Sequence, residues 1–200
     1  MTARVSLPGM RAPSAGFEQP FELLGACHER VERTLALLQR LRAYVQSPGC
    51  DDSARQAARD VLRYFDIAAP LHHEDEELHV FPPLLARAQA VAAGDAPGTD
   101  AAGVASEAAA VAAIVRGLQR DHVAMGGAWA VARVPLQDLA DGRIDTFTPA
   151  QEAAFVQFAG LYDDHLRQED RIVYPAARAA LAPQAAQQMG RDMARRRGAG

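Results

Sequence analysis

Apolar positions along the chain recur at steps of three and four, the rhythm of helices that each bury one stripe. From about Pro20 to Gln46 the stripe is Leu24, His28, Val31, Leu35 and Leu38, and "SPG" ends it. A second helix opens behind the candidate caps Asp51, Asp52 and Ser53 and runs through Leu62, Phe65, Ala69, His72, Glu76 and His79 to "FPP". Pro70 is expected to kink or restart it. The stretch "GDAPGTDAAGVASEAAA" reads as a long flexible crossing, with a helix start near Ser106. The third stripe is Val111, Val115, Leu118, His122, Met125 and Trp129, and it is expected to fade by "RVPLQDLADGRIDTF". The fourth helix opens on Thr148, Pro149 and Gln151, a capping box with proline in the first turn. Its stripe is Phe155, Phe158, Tyr162, His165, Glu169 and Ile172.

These four stripes predict an all-α fold, an antiparallel up-down-up-down four-helix bundle over residues 20–182. Residues 1–19 form an N-terminal extension and 183–200 a C-terminal tail, and the basic run "RDMARRRGAG" in that tail reads as a frayed, solvated terminus. At a rise of about 1.5 Å per residue, His28, His72, His122 and His165 come to one level of such a bundle.

The two halves also match each other. "HHEDEELHVFP" from His72 and "HLRQEDRIVYP" from His165 share His at the first position, Glu at the fifth, and an aromatic residue followed by proline at the tenth and eleventh. Each half adds a lone seam histidine on its preceding helix, His28 or His122, so the pattern H…HxxxE occurs twice, as in an internal two-fold repeat.

Composition narrows the function. The 200 residues are 49% hydrophobic with a net charge of -4, which gives no field for gathering phosphates, so no nucleic-acid partner is expected. No apolar run reaches the ~18 residues of a membrane span. "MTARVSLPGM" lacks a long apolar h-region, and Cys27 and Cys50 form no metal-type cluster, so a cytoplasmic protein with reduced thiols is expected. Cys27 beside His28 invites a ligand reading but suits a buried thiol filling core space.

Six ionisable groups on apolar seams would each cost several kcal/mol to desolvate without compensation, and no Lys or Arg shares their stripes. A pair of divalent cations supplies that compensation. His and Glu at i, i+4 share one helix face, so each HxxxE helix offers a nitrogen and a carboxylate to one small volume. Mixed imidazole and carboxylate ligation suits iron better than calcium or magnesium, with zinc and manganese as alternatives.

With these motifs the chain resembles the hemerythrin-like family of HHE cation-binding domains over about residues 20 to 182. The resemblance implies a four-helix bundle around a non-haem di-iron centre, oxo- or hydroxo-bridged, with His28, His72, Glu76, His122, His165 and Glu169 as metal ligands. Oxygen-carrying members place five histidines on the iron pair, whereas the repeat here supplies four. Some members use the position after the first motif histidine, which makes His73 a further candidate ligand. His79 lies on the expected seam about 10 Å along the axis from His72, and Ile172 takes its place in the repeat, so His79 reads as a packed imidazole. Glu32 follows His28 by one turn, but Gly126 occupies the matching place after His122, so a surface charge or a hydrogen-bond acceptor is expected. Tyr162 either bonds to the site or packs. Glu74, Asp75, Glu77, Asp163 and Asp164 read as a solvated face.

Two classes of function follow from the resemblance. The first is a di-iron protein that binds or senses O₂ or NO, or handles iron under oxidative or nitrosative stress. The second is a di-iron oxidase or peroxidase, which needs a pocket beside the metals. A metal-free helical interaction module would leave the six seam groups unexplained. The sequence sets neither the oligomeric state nor a downstream partner.

Overall fold

The structure is a computed structural model that describes residues 15–47, 49–94 and 101–199. The expected crossing at 95–100 and the N-terminal residues 1–14 lie outside the described residues. Every regular element among the described residues is helical, and together they form a helical bundle. No described helix is long and apolar enough to cross a membrane.

Helix α1 (Pro20–Gln46) starts with proline in its first turn and buries Leu24, Cys27, His28, Val31 and Leu38. A second rod covers 52–92. It begins with α2 (Asp52–Arg63), where the Asp51 side chain accepts the Ala54 N–H. It continues through α3 (Ala69–Asp75) and α4 (Phe81–Ala92), with a π-helical turn on either side of α3, at Tyr64–Ala68 and Glu76–Val80. The prolines account for these turns. Pro70 and Pro82 have no N–H to offer the carbonyl four residues back, so the bond slips by one residue: Ala69 N–H reaches Tyr64 and Phe81 N–H reaches Glu76. The break expected at Pro70 is thereby absorbed.

A π turn holds an extra residue, so it rotates the buried seam by one position. Val80 is fully buried one turn after Glu76, and His79 is only partly buried. Pro175 produces the same turn at Glu169–Val173, where Val173 is fully buried and Ile172 is 38% exposed. The seam places expected for His79 and Ile172 are therefore corrected to Val80 and Val173.

Helix α5 spans Ala101–Ala140, starting before Ser106 and continuing past Pro135 to end midway through the segment expected to fade. Pro135 lies inside it, at a typical cost of ~3 kcal/mol. Leu136 and Leu139 are fully buried just beyond it and contribute roughly 1.5–3 kcal/mol each, enough to carry the helix on. Helix α6 (Pro149–Gly160) has the expected capping box, with Gln151 N–H donating to Thr148 Oγ1 at 3.3 Å and Thr148 N–H to Gln151 Oε1 at 2.8 Å. Helices α7 (Tyr162–Gln168) and α8 (Tyr174–Ala180) follow, on either side of the third π turn.

The tail does not fray. Residues Pro183–Arg196 form α9, whose Met189 and Met193, one turn apart, are fully buried. A Cβ on Gly190 would lie 2.0 Å from the Phe17 carbonyl, so only glycine permits this approach. Arg196 and Arg197 both donate to Asp75, which is completely buried. Asp75 thus leaves the expected solvated face, because a buried carboxylate holds where cations meet it.

Two apolar clusters make the core. One gathers Val31, Ala69, Met125 and Leu166, and the other Leu24, Val80, Leu118 and Val173. On α1, on the rod 52–92 and along 162–173 the buried polar residues, and on α5 the part-buried His122, fall between members of the two clusters. The core is interrupted by a single polar belt.

Candidate metal centre

The belt contains all six residues singled out from the repeat, and His73 with them. Donor atoms of His28, His72, Glu76 and Glu169 lie within 4.8 Å of one another, and so do those of His73, His122 and His165. The carboxylates span the two groups. Glu169 approaches His28 Nε2 at 3.2 Å through Oε2 and His165 Nε2 at 3.1 Å through Oε1. Glu76 lies 3.6 Å from His72 Nε2 through Oε1 and 3.5 Å from His122 Nε2 through Oε2. The rings of His73 and His122 stack 4.1 Å apart.

Three imidazoles are held from behind by carboxylates. His28 Nδ1 meets Asp170 at 2.8 Å, His122 Nδ1 meets Glu77 at 3.0 Å, and His165 Nδ1 lies 3.5 Å from Asp121. Each contact turns Nε2 toward the belt, and in a neutral ring an Nδ1–H given to the carboxylate leaves Nε2 able to accept a metal. Glu77, expected on a solvated face, is corrected to this orienting position, and its other oxygen accepts from Gln119 at 2.7 Å. Glu74, Asp163, Asp164 and Glu32 are exposed.

Burial decides the protonation states. It drives His73 down to about 3, aided by charge on His122, and His122 down to about 4, aided by His165. His72 falls well below its usual range, through burial first and then His28. These imidazoles are neutral at neutral pH, the form that binds metals. Burial also lowers His28, but Asp170 and Glu169 outweigh it and raise the imidazole to about 9. Glu76 is pushed well up by burial and by the charge of Glu169. Glu169 would rise by burial too, yet His165 and His28 hold it well below the carboxylate range.

The donor set fits a metal pair. Glu76 Oε2, His122 Nε2, His165 Nε2 and both Glu169 oxygens are buried without a hydrogen-bond partner among the described residues, a costly condition for five polar atoms in one belt. Their close approaches lack hydrogen-bond geometry. Adjacent ligands of an octahedral ion with bonds of about 2.1 Å lie about 3 Å apart, and the contacts of 3.1 and 3.2 Å in this belt are of that size.

Other expectations resolve away from the belt. His79 lies 3.6 Å from Asp192 on α9. Cys27 is buried outside both donor groups, and its carbonyl accepts from Tyr64 at 3.2 Å. Tyr162 packs on Phe158 and Phe65, with ring centroids 5.4 and 5.8 Å away. A cavity of about 340 Å³ beside His73 and His122 is lined by Phe65, Met125, Gly126, Trp129 and Tyr162.

Sequence reasoning missed Tyr174, Asp170 and Asp121. Asp170 and Asp121 adjoin repeat residues but point along neighbouring faces, and Asp121 serves His165 rather than its neighbour His122. The signal for Tyr174 was the one chemical difference between "FP" and "YP".

A buried histidine and carboxylate belt inside a helical bundle defines a metal-binding class of protein. The chain belongs to the hemerythrin family: the family model for the hemerythrin HHE cation binding domain matches residues 19–177. It is also similar to an uncharacterized protein of Haemophilus influenzae, 28% identical over 183 residues that cover 92% of each chain.

Proposed function

We propose that the belt holds two metal ions, preferably iron, and that the protein binds or senses O₂ or NO, or handles iron under oxidative or nitrosative stress. In this reading His28 and His72 would hold one ion, His73, His122 and His165 the other, and Glu76 and Glu169, which approach both groups, would serve both. The observation that carries it is that each carboxylate reaches both histidine groups and that three of the four reaching oxygens, Glu76 Oε2 and both of Glu169, are buried without a hydrogen-bond partner among the described residues. We read the chain further as an up-down-up-down duplication acting in the cytoplasm, each half giving one HxxxE helix and one lone histidine.

Bound iron supplies reversible electron exchange with a small ligand. The chain supplies the rest. Asp170, Glu77 and Asp121 keep three imidazoles oriented, and the two apolar clusters exclude water above and below the belt. Neutral His72, His73 and His122 accept the cations without first losing protons. The cavity beside His73 and His122 favours a second reading, an oxidase or peroxidase with room for a small apolar substrate.

Optical spectra of iron-loaded protein, taken after reduction and on exposure to O₂ and to NO, separate these readings. Reversible ligand-dependent bands are expected for the carrier or sensor. Sustained peroxide turnover supports the enzyme, and spectra unmoved by O₂, NO and peroxide contradict both.

A further inference from the structure

Tyr174 opens α8, and its backbone N–H closes the π turn onto Glu169. Its buried ring lies over His28 with centroids 5.2 Å apart and planes 22° apart. Phe81, its partner in the repeat, lies over His122 in the same way, at 5.6 Å and 21°. The two halves therefore build the same stack, but only one of them adds a hydroxyl.

That hydroxyl lies 2.9 Å from His28 Nε2 and donates to Glu76 Oε1. Both neighbours are metal donor atoms in the reading above, on which this inference rests. His28 Nε2 is then ringed by Tyr174 Oη at 2.9 Å, His72 Nε2 at 3.1 Å and Glu169 Oε2 at 3.2 Å. These spacings set the phenol oxygen at hydrogen-bond distance from two donor atoms of the belt, close enough for all of them to surround one ion. Tyr64, by contrast, donates its hydroxyl to the Cys27 carbonyl, away from the belt.

We propose that Tyr174 is a ligand, as phenolate, of the ion held by His28 and His72. Binding releases the phenol proton to solvent, and no electron is transferred. The ion gains a hard anionic oxygen, so its donors are two imidazoles, two carboxylates and one phenolate, a set that favours the ferric state. The other ion has three imidazoles and no phenolate, and the cavity opens beside it. The pair is thus inequivalent: Tyr174 closes one side, and an outside ligand approaches from the side of His73 and His122.

The test uses the full chain loaded with iron and oxidised in air, read by visible absorption and resonance Raman. A phenolate-to-iron charge-transfer band is expected, with enhanced ring vibrations that shift when the four tyrosines are ring-deuterated. Tyr174→Phe should keep the bound iron and lose both band and vibrations. Iron-loaded wild type with no tyrosine vibrations overturns the proposal, as does a Tyr174→Phe spectrum equal to wild type. The labelled wild-type spectrum decides even if the variant folds poorly. A wild-type chain that takes up no iron defeats the metal reading itself, an outcome distinct from iron bound without phenolate.

Discussion

Glu169 shows how closely this belt couples its parts, because one carboxylate approaches histidines from both groups and belongs to both at once. The lone histidines differ: His28 faces one group and His122 the other. His28→Ala and His122→Ala should therefore each lower bound metal only in part, and perturb different members of the pair. Metal analysis with optical spectra checks this, and two variants indistinguishable from wild type would contradict it. The repeat made six of these residues legible, since H…HxxxE occurs twice. His73 was less so, because the periodic rule puts it about 100° from His72 and off the seam. The structure brings it inward beside His122, where burial keeps it neutral. Tyr174 escaped because an aromatic residue before proline reads as packing until its hydroxyl is placed.

Among the elements, the π turns matter most. Each HxxxE glutamate is the first residue of one, so the turn sets the glutamate inward and then shifts the seam. Proline spacing made an interruption legible, but the one-residue rotation was not, since a stripe counted at steps of three and four assumes an unbroken α-helix. The first π turn, at Tyr64–Ala68, is tied to α5 by Asp66, which accepts from Trp129 at 2.9 Å and from Arg133 at 3.0 and 3.1 Å. Burial raises the Asp66 carboxyl, but Arg133 and Trp129 outweigh it and hold it below its ordinary value of 3.8. A lowered folded value means the ionised group stabilises the fold above the ordinary carboxylate range, and that this is lost as pH falls through the folded value. Asp66→Asn should thus cost about 1 kcal/mol or less at neutral pH. Urea titrations should show the gap closing below the carboxylate range, and a gap independent of pH would refute the ion pair. Helix α9 was illegible for another reason: its Arg run looks solvated until Asp75 is known to be buried. Asp75→Asn should cost roughly 1–3 kcal/mol and release α9 first, seen as faster tryptic cleavage at Arg191 and Arg195. Cleavage at the wild-type rate would show that the contact holds nothing.

For the whole molecule, the polar belt divides an otherwise continuous core, so its stability depends on what the belt holds. Without a cation, Glu76 is driven toward its protonated form and His28 toward its charged form, while His122 Nε2, His165 Nε2 and both Glu169 oxygens stay buried without a hydrogen-bond partner among the described residues. A metal that binds only the folded chain adds about 4 kcal/mol at a thousandfold excess over Kd. For a chain of this size that raises Tm by roughly 8–16 °C. Chelation followed by circular dichroism melting checks it, and equal Tm values for the two forms would favour a metal-free bundle. Helical class and bundle assembly were legible from stripe periodicity alone, whereas the docking of the tail depends on contacts between residues more than a hundred positions apart. The central claim is that this belt is a two-metal site bridged by Glu76 and Glu169. Its most direct test is the iron content of purified, iron-reconstituted wild type beside Glu169→Ala. The account predicts close to two iron ions per chain in the wild type and a sharp fall in the variant. Iron near zero in the wild type, or unchanged in Glu169→Ala, would contradict it.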